Sequence, residues 1–129
     1  MPVELQVLAY AALLQYVQIG LFTVPANVQL GPRYTAGPRD EERKVTGVTA
    51  RLSRAVDNHY EGLALFTIAV LVAVLGNVTS ELTANCAWAY LVARILYVPA
   101  YASGVFMVRS VIWAVGFVAT LIMLLAAVL

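Results

Sequence analysis

The chain has 129 residues, of which 62% are hydrophobic and only 12% charged, with a mean hydropathy of +0.84. Ordinary soluble domains carry about 25% charged residues, so the composition excludes a water-soluble fold and points to a polytopic, all-α membrane protein. A net charge of +1 without a basic stripe argues against a nucleic-acid partner, and the single cysteine, Cys86, leaves no disulfide or metal framework within the chain.

The first predicted helix covers about 3–30. It lacks a basic leader, begins with Glu4 and is longer than a signal-peptide apolar region, so it is expected to stay in the mature protein. Gln15, Gln18 and Asn27 on this helix read as hydrogen-bonding groups directed at neighbouring helices. Gly31, Pro32, Gly37 and Pro38 then break the helix, and a mixed-charge run follows over 39–44. This predicted loop of about 31–45 is the one substantial extramembrane segment.

Six of the eight basic residues (Arg33, Arg39, Arg43, Lys44, Arg51 and Arg54) lie between Gly31 and Arg54, against three acids. The excess of positive charge predicts that residues 31–54 are cytoplasmic and that both termini face the opposite side. The second helix is predicted over about 45–76, with Thr46 or Thr49 as its cap and Gly76-Asn77 as its exit turn. The third is predicted over about 82–104, with Pro99 distorting its last turns, and the fourth over about 108–128. Spanning the roughly 30 Å apolar core of a bilayer takes roughly 20 helical residues, so a single domain of four transmembrane helices accounts for residues 1–129.

Polar residues inside such spans are the candidates for function, because each costs roughly 2.5–3.5 kcal/mol at membrane depth on insertion scales. Arg51, Arg54, Asn58 and Glu61 are spaced by 3, 4 and 3 residues, which sets them along one stripe of a helix. Lipid cannot be the direction of that stripe, which leaves the bundle interior, a neighbouring subunit or a polar ligand. Tyr90, Arg94, Tyr97 and Tyr101 make a second stripe, in which Arg94 needs a partner and Glu61 is the expected one. Arg109-Ser110 opens the fourth helix, where free amide groups and the positive end of the helix dipole favour an anion. His59 has no second ligand at metal-binding spacing, so no metal site is expected.

These residues resemble a known family, the membrane-associated proteins in eicosanoid and glutathione metabolism, which includes the microsomal glutathione transferases, leukotriene C synthase and microsomal prostaglandin E synthase. The likeness covers almost the whole chain. It rests on Arg54-Ala-x-x-Asn58-x-x-Glu61, then Ala93-Arg94-x-x-Tyr97-x-x-x-Tyr101, then Arg109-Ser110. The resemblance implies a homotrimer of left-handed four-helix bundles that holds glutathione between adjacent subunits near the cytoplasmic face. By position it implies that Arg54, Asn58, Glu61, Tyr97 and Tyr101 hold the tripeptide, with Arg51 and Arg94 as additions, and that Arg109 and Ser110 act at its sulfur.

The activity implied is that of a microsomal-type glutathione transferase or peroxidase, with glutathione as co-substrate and a lipophilic electrophile or hydroperoxide as acceptor. Two departures stand out within the likeness. Asp57 occupies a position where prostaglandin synthase and some relatives have a basic residue, and Trp113 one where the prostaglandin enzyme has an aromatic hydroxyl. Short loops give the chain the look of a bacterial member, which implies an inner-membrane location. The competing reading is a non-enzymatic trimer whose polar stripes serve assembly, or bind a lipid or other anion between subunits.

Overall fold

A computed structural model of the chain describes residues 1–31, 46–103 and 106–129. The predicted loop with its charged run, including Arg33, Arg39, Arg43 and Lys44, lies outside the described residues. Four helices make up the described chain: α1 (Val3–Leu30), α2 (Gly47–Leu75), α3 (Glu81–Ser103) and α4 (Phe106–Val128). No strand is found among the described residues.

α1, α2 and α4 are long and apolar enough to cross a membrane. By that measure α3 falls short, although its 23 residues have the necessary length. The reason is the polar content that makes α3 interesting, namely Asn85, Arg94 and three tyrosines. The pairing of helices places α3 inside the bundle: α2 and α3 touch each other and both outer helices, while α1 and α4 do not meet. The chain is therefore built around an α2–α3 diagonal.

Large apolar side chains such as Leu13, Val24 and Leu75 point outward and are more than half exposed, as surfaces that face lipid require. The interior is packed from small and aromatic residues instead. Ala11, Ala69 and Ala87 are fully buried and let the backbones approach, which in a membrane supplies the van der Waals contact that drives helix association. Phe66 of α2 stacks on Tyr90 of α3 with ring centroids 4.0 Å apart and planes within 9°. Cys86 is a buried free thiol in the same cluster.

Local hydrogen bonds fix the helix ends. Asn77 takes a left-handed φ of 54°, and the Val78 and Asn77 amides donate back to the carbonyls of Ala73 and Val74, which closes α2 where the Gly76-Asn77 turn was expected. At the start of α2 the expected threonine cap is replaced. Thr46 holds the cap position, but its side chain makes no capping bond; Gln29 of α1 accepts from the Thr46 amide at 3.0 Å and donates to Thr49 Oγ1 at 2.9 Å. The long amide side chain reaches both groups at once and ties α1 to α2. At the start of α3, Ser80 and Thr83 cap each other, and the Thr83 hydroxyl also lies 3.1 Å from the buried Glu4 carboxylate.

One expectation for α1 is not met within the chain. Gln15 and Gln18 are buried, yet none of their four amide atoms finds a hydrogen-bond partner among the described residues.

Candidate functional site

The candidate groups gather at the end of the bundle where α2 starts, α3 ends and α4 starts. There the polar stripe of α3 turns inward. Tyr90, Arg94 and Tyr97 are each no more than 3% exposed, and Arg94 is the only buried arginine among the described residues. Its guanidinium lies 4.5 Å from the Tyr97 ring centroid, donates from Nη1 to Asn58 Oδ1 at 3.1 Å, and donates from Nε to His59 Nδ1 at 3.2 Å.

This corrects the expected partner of Arg94. Glu61 is exposed and makes no such contact, whereas Asn58 and His59, one turn earlier on α2, reach Arg94 from inside the bundle. The roles of the two imidazole nitrogens follow from their neighbours. Nε2 stands 3.0 Å from the Ala11 carbonyl of α1, which can only accept, so Nε2 carries the proton and Nδ1 is the acceptor for Arg94. His59 is thus neutral and links three helices. The signal was present in the sequence: His59 shares the 3- and 4-residue spacing of Ala55, Phe66, Ala69 and Ala73, the buried face of α2, and a polar residue on such a face must have an interior partner.

Closer to the bundle end, Tyr101 sits between two cations. Arg54 of α2 donates from Nε to the Tyr101 hydroxyl at 3.1 Å, with its guanidinium carbon 5.9 Å from the ring centroid, and Arg109 of α4 places its own at 4.8 Å. Such contacts orient an arginine against the ring face. Tyr97 leans on Tyr101, centroid to centroid 5.4 Å, and ties this pair to Arg94.

A pocket of about 270 Å³ opens beside these groups, lined by Asn58, Tyr97, Tyr101, Arg109, Ser110 and Trp113. Five of the six were singled out in the sequence as candidate site residues. Arg54 borders the pocket through Tyr101, and Arg94 lies behind it. Arg51, half-buried in the second turn of α2, and Glu61 are not among its lining residues. Trp113, the sixth lining residue, was marked in the sequence only as a departure from the family pattern, and it stands one turn after Arg109 on the same helix face.

The pocket combines hydroxyl and amide groups with the first turn of α4, whose positive dipole end lies near Arg109 and Ser110. It suits an anionic or thiol-bearing ligand. A larger groove of about 620 Å³ runs between α3 and α4 past Cys86, Ala89 and Val115; it is almost wholly apolar, and Asn85 is the amide side chain in its lining.

Comparison with known proteins gives a single result. No curated protein and no solved structure matches the chain significantly. A family model described as the MAPEG family matches residues 7–129, essentially the whole chain, and the protein therefore belongs to the MAPEG family.

Proposed function

We propose that the protein is a glutathione-dependent transferase or peroxidase of the membrane, activating the glutathione thiol for attack on lipophilic electrophiles or hydroperoxides. The observation that carries this reading is the convergence of Arg54 and Arg109 on Tyr101, at the mouth of a pocket floored by Asn58, Tyr97 and Ser110. Family membership supports it, since the family includes glutathione transferases.

The roles follow from the chemistry of the groups. Glutathione carries two carboxylates, an ammonium and a thiol. Arginine meets a carboxylate through two parallel N–H donors, which suits Arg54 and, one turn outward, Arg51. Asn58 is pinned by Arg94 through its oxygen, which leaves its amide N–H groups to donate to the peptide. The exposed Glu61 supplies an acceptor for the ammonium, and the Tyr101 hydroxyl, which already accepts from Arg54, keeps its own proton to donate. Arg94 acts indirectly, by holding Asn58 and Tyr97 in place.

A free thiol has a pKa near 8.5, so at neutral pH little of it is thiolate. Lowering that value by about two units takes roughly 2.7 kcal/mol of preferential stabilisation of the anion. Arg109 at the start of α4, together with the helix dipole and the Ser110 hydroxyl, is the natural source. The thiolate then forms a carbon–sulfur bond with the electrophile as the leaving group departs with its electron pair. With a hydroperoxide, sulfur attacks oxygen, the O–O bond breaks, the alcohol takes up a proton, and a second glutathione completes the reaction as disulfide and water.

A homotrimer in which a second chain completes the pocket belongs to the same proposal, with the pocket end in the cytoplasm of a bacterial inner membrane. The pocket volume of about 270 Å³ is at the lower edge of small-molecule sites, roughly 300–1,000 Å³, which suits a site shared between chains. Calorimetric titration of the detergent-purified protein with glutathione tests the reading. Saturable binding weakened about tenfold or more by Arg54→Ala supports it. A folded protein that binds no glutathione at millimolar concentration favours instead a non-enzymatic trimer with a lipid or other anion between its subunits.

A further inference from the structure

Next to the pocket lies a second, smaller and partly open cavity of about 30 Å³, and Trp113 lines both. Its wall is formed by Gly62 of α2, Gly116 of α4, and Tyr90 and Arg94 of α3. The two glycines create the space. A Cβ at Gly62 would stand 3.3 Å from the Tyr90 hydroxyl and 3.9 Å from Arg94 Nη1, and one at Gly116 would come within 3.6 Å of the Tyr90 ring. The hydroxyl of Tyr90 and Arg94 Nη2 are both buried and have no hydrogen-bond partner among the described residues.

The charge balance is one-sided. Among the described residues the partners of the Arg94 guanidinium are neutral: Asn58, the Tyr97 ring and His59, whose Nδ1 can accept only from an uncharged imidazole. No carboxylate pairs with it among the described residues. An ionised side chain in a low-dielectric interior needs a counter-charge, and a polar but neutral surround supplies none. Holding one water-sized sphere takes roughly 10–15 Å³, so the cavity admits a monatomic ion and is too small for a phosphate or a carboxylate-bearing ligand.

We infer that this cavity is a binding site for a single halide ion, chloride under ordinary conditions, held by the Arg94 guanidinium and the Tyr90 hydroxyl and entered past Trp113. The ion neutralises Arg94 and thereby holds the Arg94–Asn58 bond at the back of the neighbouring pocket. The inference stands independently of the thiol chemistry and is tested without glutathione.

The chain has two tryptophans, so Trp88→Phe leaves Trp113 as the sole reporter. Bromide is titrated into this variant at constant ionic strength with gluconate as the balancing anion, and Trp113 fluorescence is followed. The expected result is a saturable quenching component that chloride, a poor quencher, competes away. Tyr90→Phe weakens the apparent affinity about tenfold, the worth of one hydrogen bond to an ion. Gly62→Ala abolishes the component, and Arg109→Ala leaves it intact. Should Gly62→Ala fail to fold by circular dichroism, Gly116→Ala serves instead, because its methyl makes only ordinary contacts. Quenching that is linear in bromide overturns the inference and assigns the cavity to water. Saturable quenching lost in Arg109→Ala but kept in both glycine variants also overturns it, placing the halide in the larger pocket.

Discussion

The two ends of the bundle are held together by different physics. Toward the chain's termini the helices meet through alanines, the Phe66–Tyr90 stack and Met123, with Glu4 and Thr83 as an isolated polar pair. Toward the α2 start, interior contacts pass through His59, Asn58, Arg94, Tyr97 and Tyr101. An apolar interface tolerates changes that preserve volume, whereas a buried polar network charges the full desolvation cost to whichever member loses its partner. The polar end is therefore the part that cannot be simplified, and a membrane protein keeps such an arrangement where it has chemistry to perform.

The largest effect that sharpens this contrast is expected at Arg109. Arg109→Ala reduces the turnover of glutathione with an electrophilic test substrate by roughly 10²–10³-fold, the usual cost of losing one preorganised charge-stabilising group, while thermal stability in detergent barely changes. An equal loss from Phe66→Ala at unchanged stability would break the division into two ends.

Phe66→Ala belongs to the other end and is expected to cost about 3–5 kcal/mol of stability, read as a lowered thermal midpoint, because the Tyr90 ring loses its stacking partner and a cavity is left. His59→Ala comes next. It strands Arg94 Nε and the Ala11 carbonyl together, at about 1–3 kcal/mol each, and releases Asn58, so stability falls and the KM for glutathione rises in the same variant. The smallest effect on activity is expected at Thr83→Val, which costs about 1–3 kcal/mol of stability from a lost helix cap and a stranded Glu4 carboxylate, with unchanged kinetics.

The helical architecture was legible in the sequence because the bilayer allows few alternatives: long apolar runs interrupted by Gly, Pro and charge become packed helices. What spacing could not give was the partner of each polar group. Glu61 and Arg94 lie on the right stripes to meet, but which of several neighbouring side chains reaches a guanidinium depends on the rotation and depth of two helices. The structure gives that place to His59 and Asn58. The same limit applies to Gln29, whose grip on the start of α2 joins residues 17 and 20 positions apart. The pocket itself was more legible, because Asn58, Tyr97, Tyr101, Arg109 and Ser110 lie on stripes that helices of alternating direction bring to one end of the bundle. Trp113 was legible only through the resemblance, as a departure from it, because spacing alone gives an aromatic residue in an apolar span no mark that separates a pocket wall from a lipid-facing surface.

The most direct test is the state of the glutathione sulfur. Ultraviolet difference absorbance of the purified protein titrated with glutathione at neutral pH reads thiolate formation, compared between wild type and Arg109→Ala. A saturable thiolate signal in the wild type that disappears in Arg109→Ala, while glutathione still binds, is the result the account predicts. Bound glutathione that stays protonated in the wild type, or a thiolate signal of the same size in Arg109→Ala, contradicts it.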